Sequence, residues 1–208
     1  MKKIIAQEQN EWVSSASHWL SEKKAQYKAQ TVYLPAGETP KLIYRDWELR
    51  KPDFLNQLQL IQIDDVLDGE KKNLFKQFFK DELPSYAEGI EYFNEGGHQA
   101  DLGILGLGLN GHVAFHEPGL PTNFYSGCVR LQKETIHNLQ LAEGTWGKTY
   151  GARAFYSCKA LLIIVKGLKK KEILQKTLSE SAGILPGQIP AASLLRHPDL
   201  TLLTDFEI

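Results

Sequence analysis

The sequence lacks the features that mark secreted, disulfide-stabilised and membrane-spanning proteins. It has only two cysteines, Cys128 and Cys158, and their spacing fits no redox or metal-binding motif. No apolar run approaches the roughly 20 residues that a membrane-spanning helix needs. The pair Lys2-Lys3 is not followed by the apolar core of a signal peptide. We therefore expect a cytoplasmic protein with no membrane partner and with thiols that have no special role.

An excess of charge of either sign is also missing. The 24 Lys and Arg residues nearly balance the 25 Asp and Glu residues, which leaves a net charge of -1 among 208 residues. Bulk charge therefore gives no indication of a nucleic-acid partner. The 42% of hydrophobic residues and the lack of repeats, low-complexity segments or linkers favour a single globular domain over residues 1–208.

The apolar pattern alternates between strands and helices along the chain. Strands are predicted at 31–34, 58–63, 102–107, 161–165 and 200–203. Helices are predicted at 11–29, 70–82, 86–93, 133–143 and 189–195, with two more after Pro40 and after Lys171. The aromatic residues Trp146, Tyr150, Phe155 and Tyr156 are assigned to the core, with the wall of a pocket as the alternative. Because parallel neighbours need crossover connections, the alternation predicts a doubly wound α/β fold, with a mainly parallel sheet and helices on both faces.

The segment 101–118 combines an apolar strand, glycines and acid–base side chains. The glycines allow a tight turn after the strand, and we expect this turn to bring Asn110, His112 and Glu117 together. His112 is the first candidate for proton transfer, because an imidazole pKa near about 6.5 lets it take and return a proton near neutral pH. The Glu117 carboxylate would fix the tautomer and the orientation of the ring.

Three other interpretations of this segment remain open. Its glycines fit the dinucleotide fingerprint Gly-x-Gly-x-x-Gly at 106–111. However, Pro118 follows too soon for a long helix, and no acid stands about 20 residues further on. His112, His116 and Glu117 could bind a metal, although their spacing matches no standard zinc motif. A structural glycine turn around a hydrogen-bonded histidine is the third interpretation.

Polar groups also follow other predicted strands. Thr39 and Pro40 are predicted to cap and begin a helix, so the loop before them presents backbone N–H groups as an anion site does. An acid pair begins at Asp64, and a lysine cluster surrounds Lys170. An ordinary solvated turn is the alternative for each of them. Because ligands of such sheets bind beyond the carboxyl ends of the strands, the groups together indicate a small phosphorylated molecule that undergoes proton transfer.

Four motifs carry a family resemblance. They are LPAGETP at 34–40, IDD at 63–65, GLGLNGHVAFHEP at 106–118 and PAASLLRHPD at 190–199. They resemble the glucosamine-6-phosphate deaminase (isomerase) family, which includes galactosamine-6-phosphate isomerases and, more distantly, 6-phosphogluconolactonases. The resemblance spans essentially the whole chain. Its most specific motif, Asn-Gly-His-x-Ala-Phe-x-Glu-Pro, favours the deaminase branch, because lactonases generally lose the Phe-x-Glu-Pro part.

The resemblance implies an aldose–ketose isomerisation of an amino-sugar 6-phosphate, coupled to loss of ammonia. His112 would move the proton during ring opening, with Glu117 orienting it and Asn110 assisting, and Asp64 would carry a proton from C2 to C1. The residues implied for phosphate binding are Ala36, Gly37, Glu38, Thr39 and Lys170. No metal or organic cofactor is implied, since the aldehyde itself acidifies C2. The only partner implied is the sugar phosphate, and the subunit number stays undetermined.

The chain departs from the family pattern at four places. The segment between Asp65 and Gly96 is much shorter than in well-known members. Glu38 stands where Gly or Ser is usual, the segment 126–129 replaces an expected Arg-Thr-Arg, and Asp65-Val66 replaces Glu-Tyr. A carboxylate beside a phosphate repels it unless the side chain turns away. The sequence therefore predicts retained proton-transfer chemistry with altered phosphate recognition. A sugar-lactone hydrolase and a non-catalytic sugar-phosphate sensor are the alternatives.

Overall fold

Strands and helices alternate through most of the computed structural model, which describes residues 1–93, 99–181 and 189–208. The strands are β1 (Lys2–Ile5), β2 (Thr31–Leu34), β3 (Gln59–Gln62), β4 (Asp64–Val66), β5 (Leu102–Gly106), β6 (Ser126–Arg130), β7 (Trp146–Tyr150), β8 (Ala160–Val165) and β9 (Leu200–Thr204). The α-helices are α1 (Gln9–Tyr27), α2 (Lys41–Arg50), α3 (Asp53–Asn56), α4 (Leu74–Glu82), α5 (Lys133–Leu139), α6 (Ala152–Tyr156), α7 (Lys171–Ser181) and α8 (Pro190–Leu194).

Six strands form the central sheet in the order β1-β9-β8-β5-β2-β3, and every neighbouring pair is parallel. Strand β8 is buried over its whole length, because it lies inside the sheet and is covered on both faces. Helices α1, α2 and α4 pack on one face, and α6, α7 and α8 pack on the other. The predicted doubly wound α/β fold is confirmed.

The two layers of core follow from the alternation of side chains along each strand. In β8, Leu162 and Ile164 pack with Trp12 of α1, whereas Leu161 and Ile163 pack on the opposite face with Leu174 of α7. Complete burial of an aliphatic side chain of this size stabilises the fold by about 1.5 to 3 kcal/mol. Among the described residues, no helix is long and apolar enough to cross a membrane.

A second sheet was not predicted from the sequence. It is antiparallel, has the order β4-β7-β6, and pairs Asp64 with Thr149. Its strands are short, and the β7 sequence alternates only weakly between exposed and buried positions. The aromatic residues of this region divide between two environments. Tyr150 and Phe155 are fully buried as predicted, but the core assignment of Trp146 and Tyr156 is wrong, since each is 45% exposed.

Three predicted helices differ from the observed structure. The helix predicted at 133–143 ends at Leu139, because Gln140 adopts a left-handed conformation with φ 52°. The helix predicted at 86–93 is wrong, because only a 3-10 turn forms at Ala87–Gly89. The chain then pairs with the edge strand β3, where the Glu91 N–H donates to the Leu60 carbonyl at 2.8 Å. The glycines predicted to end that helix, Gly96 and Gly97, lie outside the described residues. The helix predicted at 70–82 begins only at Leu74, because Asn73 adopts a left-handed conformation with φ 61°.

The carboxylate of Asp65 holds the start of α4 against β4. Its Oδ1 accepts the N–H groups of Val66 and Phe75, both at 2.8 Å, and its Oδ2 accepts the Lys76 N–H at 3.1 Å. Asp65 is only 1% exposed, so these backbone donors take the place of water around its charge. The first turn of α4 is therefore satisfied by a residue from the preceding strand.

We predict that Asp65→Ala lowers the free energy of unfolding by about 1 to 3 kcal/mol, because it leaves buried backbone donors without an acceptor. Urea denaturation measures the change. Asp81→Ala is the control, since Asp81 accepts only an exposed hydrogen bond from Gln77 on the surface of α4. A loss of stability at Asp65 no larger than the loss at Asp81 would contradict the prediction.

Candidate active site

A cleft of about 550 Å³ opens beyond the carboxyl ends of β2, β5 and β8. Its walls are the loop 35–40 after β2, the turn that begins at Gly106 after β5, and the segment 166–170 after β8. Asp64 and helix α5 complete the lining. This is the edge at which open parallel sheets bind ligands.

Most of the residues singled out in the sequence line this cleft. They are Ala36, Gly37, Glu38, Thr39, Asp64, His112 and Lys170. Asn110 and Glu117 stand next to His112, and the Asn110 Nδ2 group donates to Glu117 Oε2 at 3.2 Å. The fold thus brings together all the predicted site residues, although they come from distant parts of the chain.

A glycine turn presents His112 to the cleft. The Gly108 N–H donates to the His112 carbonyl at 2.9 Å, and Gly111 has φ +84°, which L side chains rarely adopt. A Cβ atom on Gly108 would lie 2.3 Å from His112 Nε2, so only glycine leaves room for the ring. The residues after Gly111 form turns and not a helix, so the dinucleotide fingerprint lacks the helix that it requires.

Glu117 is the buried carboxylate behind the imidazole. It is 2% exposed, and its Oε2 lies 3.6 Å from His112 Nδ1. This distance exceeds that of a formed hydrogen bond, but such contacts commonly tighten when a substrate binds. Asn110 fixes both partners, because its Oδ1 also accepts the His112 N–H at 3.1 Å. The backbone N–H of Gln132 donates to the second Glu117 oxygen at 3.5 Å.

The surroundings of His112 favour the neutral imidazole. Burial lowers the pKa of His112, the Glu117 carboxylate opposes this effect, and the positive charge of Lys170 adds to it. The net direction is downward from the ordinary value, so the ring is uncharged near neutral pH and can accept a proton. The carboxylate at Nδ1 stabilises the imidazolium that then forms.

Asp64 lies where the two sheets meet. It is 5% exposed and lines the cleft. Burial raises the pKa of Asp64 well above its ordinary value, and the charge of the adjacent Asp65 raises it further. An acid with a raised pKa is a stronger base once ionised, and its proton exchange moves closer to neutral pH.

The loop after β2 and the lysines after β8 form the part of the cleft that the sequence predicts to bind an anion. The Lys170 ammonium donates to Thr39 Oγ1 at 3.1 Å, which joins the loop after β2 to the segment after β8. Burial lowers the pKa of Lys170 to about 8, and Lys169 contributes to the decrease. Lys166 and Lys169 also line the cleft. This end is therefore positively charged at neutral pH.

The predicted capping of α2 is wrong in detail. Pro40, and not Thr39, occupies the N-cap position, Lys41 is the first helical residue, and no side chain caps the helix. The Thr39 hydroxyl is engaged by Lys170 instead of by the helix backbone. The Pro40 carbonyl accepts the first helical hydrogen bonds, from the N–H groups of Ile43 and Tyr44.

Glu38 contributes its backbone to the cleft and turns its carboxylate away. The side chain is 88% exposed, and its Oε1 lies 3.3 Å from Lys41 Nζ. The sequence predicts that the Glu38 carboxylate repels an anion bound in this loop. Because the side chain points into solvent, this repulsion is weakened. No arginine lines the cleft among the described residues, and the segment 126–129 belongs to the edge strand β6.

Sequence reasoning missed the wall that α5 provides. Thr135, Asn138 and Leu139 line the cleft, as does Phe75 of α4, whose ring stacks on Phe115. No signal in the sequence indicated this, because the position of α5 depends on the unpredicted antiparallel sheet. In the structure, Thr135 stands out because it is buried in a helix whose other residues are exposed or half-buried.

The geometry does not favour a metal in this region. His116 is occupied by the backbone, since its Nδ1 accepts the Ala152 N–H at 2.9 Å and its Nε2 lies 3.4 Å from the Leu120 carbonyl. It therefore does not join His112 and Glu117 in a ligand set. Within the described ranges, no group of three or more His, Cys, Asp or Glu side chains is arranged to hold a metal ion.

Comparison with known sequences decides the family. No protein-family model matches the chain. The chain is 32% identical over 233 aligned positions to glucosamine-6-phosphate deaminases of Streptococcus pneumoniae strains 70585 and TIGR4. The alignments cover all of this chain and 97% and 98% of those proteins. The chain belongs to the glucosamine-6-phosphate deaminase family. The resemblance read from the four motifs is confirmed, and the protein is a member of a family of enzymes.

Solved structures agree on the fold of this family member. A monomeric glucosamine-6-phosphate deaminase superposes with a TM-score of 0.78 at 21% identity, covering 98% of this chain and 97% of that one. A 6-phosphogluconolactonase from Thermotoga maritima superposes with a TM-score of 0.71 at 18% identity, covering 98% of each chain. At these identities the likeness shows the fold alone, which deaminases and lactonases share.

We predict that Gly108→Ala displaces the His112 imidazole from its buried position, so that the pKa of His112 rises toward about 6.5, the value of an exposed histidine. A pH titration of the histidine ring signals by NMR measures the shift. Gly106→Ala is the matched control, because a Cβ atom at Gly106 meets nothing within 4 Å. The same His112 pKa in wild type and Gly108→Ala would show that the glycine does not position the ring.

Proposed function

We propose that this protein converts an amino-sugar 6-phosphate, glucosamine 6-phosphate or galactosamine 6-phosphate, to a ketose 6-phosphate and ammonia. The observation that carries the proposal is one cleft lined by a buried carboxylate, Asp64, a neutral imidazole, His112, and the cationic group of Lys170. The names of the sequence relatives support the same reaction. The two epimers are not distinguished by these features.

Ring opening is the step assigned to His112. The neutral imidazole accepts the proton of the anomeric hydroxyl and delivers it to the ring oxygen, which leaves the open-chain aldehyde. Glu117 stabilises the imidazolium between these transfers, and Asn110 holds the carboxylate and the His112 backbone in register. No charged group has to enter from solvent for this exchange.

Proton transfer between carbons is the step assigned to Asp64. The aldehyde acidifies C2, and the ionised carboxylate removes the C2 proton to give an enolamine. Return of the proton to C1 gives an imine at C2, and addition of water then releases ammonia and leaves the ketose 6-phosphate. The raised pKa of Asp64 makes its carboxylate a stronger base for this step, which is otherwise limited by a weak carbon acid.

The phosphate is assigned to the end of the cleft at Thr39 and Lys170. Backbone N–H groups of the loop at Gly37, Glu38 and Thr39 supply donors, and the ammonium supplies a charge-assisted hydrogen bond. Holding the substrate by its phosphate fixes C2 against Asp64, and such positioning lowers a reaction barrier by several kcal/mol. Lys166 and Lys169 add positive charge where the family arginines are absent.

We predict that Asp64→Asn lowers the deamination rate by about 100-fold or more, because general base catalysis contributes on this scale. Ammonia and ketose 6-phosphate are measured together, with glucosamine 6-phosphate and galactosamine 6-phosphate as substrates. Asp68→Asn is the control, since Asp68 accepts a backbone hydrogen bond from Trp146 outside the cleft. A wild-type rate in Asp64→Asn removes Asp64 from the mechanism.

Assays of lactone hydrolysis and of thermal stability separate the two alternative functions from deamination. A lactone hydrolase requires no proton transfer at carbon, so it hydrolyses a 6-phosphogluconolactone equally well as wild type and as Asp64→Asn, and it releases no ammonia. A sensor gains thermal stability from the sugar phosphate without turning it over. Either result would overturn the proposed deamination.

We predict that binding of fructose 6-phosphate weakens as the pH rises through about 8, the pKa of Lys170. Lys170 is cationic below this pKa and neutral above it, so affinity is complete at lower pH and is lost at higher pH. Fructose 6-phosphate has no amine, so its own charge does not change between pH 7.5 and 9.5. Isothermal titration calorimetry over this range measures the dissociation constant.

Two variants control this experiment. Lys170→Gln should bind weakly at every pH, because it carries no charge to lose. Lys176→Gln should behave as wild type, because Lys176 lies on the exposed side of α7 and pairs with Glu172 at 2.7 Å. An affinity for fructose 6-phosphate that is independent of pH in the wild type contradicts the role of Lys170.

A further inference from the structure

One polar side chain in the cleft has no assigned role and no hydrogen-bond partner. Thr135 is 2% exposed and lines the cleft, and its buried Oγ1 meets no partner within the part of the chain that the structure describes. Asn138, one helical turn further along α5, lines the same cleft from its exposed rim. Residues three apart share a helix face, so both side chains approach the cleft from α5.

The other buried threonines show how unusual this is. The hydroxyl of Thr177 donates to the Ile173 carbonyl of its own helix at 2.7 Å, which is the common solution for a threonine within a helix. Thr149 and Thr204 likewise donate to backbone carbonyls, at 2.7 and 2.8 Å. A buried hydroxyl without a partner destabilises the folded protein. The hydroxyl of Thr135 therefore lacks the partner that these threonines have, at a residue that lines the cleft.

Helix α5 is fixed at both ends, so Thr135 is held in place before any ligand binds. At its start, the Gln132 side chain donates to the Pro118 carbonyl at 2.7 Å, and the Gln132 backbone contacts Glu117. At its end, the Lys71 ammonium donates to the Leu139 carbonyl at 2.7 Å. The wall that carries Thr135 is thus tied to the carboxylate behind His112.

We propose that Thr135 binds a hydroxyl of the sugar chain between C3 and C5 and so determines substrate specificity, with Asn138 providing a second polar contact at the rim. The inference rests on the proposed function, because it assigns the remaining part of the same substrate. The phosphate is assigned to Thr39 and Lys170, and C1 and C2 are assigned to His112 and Asp64. The hydroxyls between them are the polar groups of the substrate that still need partners.

A site built to hydrogen-bond a hydroxyl discriminates strongly against an analogue that lacks it, because the buried group of the protein is then left unpaired. Thr135→Val replaces the hydroxyl with a methyl group of similar volume. We expect kcat/KM for the amino-sugar 6-phosphate to fall about 10-fold or more, because the substrate hydroxyl loses its buried partner. The melting temperature should stay the same or rise, because an unpaired buried hydroxyl has been removed.

Two variants distinguish recognition from structural support. Thr135→Ser keeps the hydroxyl and with it the proposed hydrogen bond to the substrate. Its kcat/KM should therefore stay within about 3-fold of wild type, a smaller change than the loss of a hydrogen bond causes. Thr177→Val removes a satisfied hydroxyl that is not part of the cleft lining, so it should lower the melting temperature and leave kcat/KM unchanged. A drop in both stability and activity in Thr135→Val would show a structural role and overturn the proposal.

Deoxy substrates identify the hydroxyl that is bound. The 3-deoxy and 4-deoxy analogues of glucosamine 6-phosphate are compared in wild type and Thr135→Val. The difference between the two proteins should disappear for the analogue that lacks the contacted hydroxyl and persist for the other. A difference that persists for both analogues assigns the contact to the C5 hydroxyl. If wild type deaminates the substrate and Thr135→Val matches it on every compound, this assignment alone is overturned. If wild type deaminates neither epimer, the proposed function fails and this assignment fails with it.

Discussion

Two carboxylates stand side by side in the interior, and the site depends on how differently the fold treats them. Asp65 is surrounded by backbone N–H groups from the start of α4, which stabilise its negative charge. Asp64, its neighbour, faces the cleft and has its pKa raised by burial and by the charge of Asp65. One acid therefore fixes the structure while the other becomes basic, and the difference arises from a single reversal of side-chain direction along β4.

The same strand connects the two halves of the cleft. Asp64 pairs with Thr149 of β7, and the Thr149 hydroxyl accepts the N–H of Phe115 at 3.1 Å, in the segment that follows His112. The antiparallel sheet thus joins the carboxylate to the turn that carries the imidazole. The segment after β8 brings lysines to the cleft, and Lys170 lowers the pKa of His112 as well as binding Thr39. The proposed acid–base groups and the lysines of the cleft are therefore electrostatically linked.

Five of the six strands of the central sheet were predictable from the sequence, because apolar runs such as 161–165 identify buried strands, and Asp64, His112 and Lys170 come shortly after three of them. The edge strand β1 was not predicted, because its residues are mostly exposed and form no apolar run. The antiparallel sheet was not predictable from the sequence, since its strands have only three to five residues and β4 pairs with a strand about 80 residues further along the chain. The helix predicted at 86–93 failed for a related reason. Pairing with the edge of β3 outweighed the local helical pattern.

The sequence also did not predict the directions in which some side chains point. The sequence indicates that the Glu38 carboxylate would repel a bound phosphate. The orientation of this side chain, however, depends on the backbone around Gly37, which has φ +101°. Likewise, Thr39 was predicted to cap a helix and instead contacts Lys170, and nothing in the α5 sequence indicates that Thr135 borders the cleft. Local patterns identify the elements, whereas contacts between distant segments decide which groups face a ligand.

The most direct measurement is a crystal structure with the open-chain alditol of glucosamine 6-phosphate, which lacks the carbonyl and so does not react. We expect the phosphate at Thr39 and Lys170, with C2 facing the Asp64 carboxylate at about 3 to 3.5 Å, the separation of a near-attack geometry. A phosphate bound away from Lys170, or a carbon chain that places C2 out of reach of Asp64, would contradict this expectation.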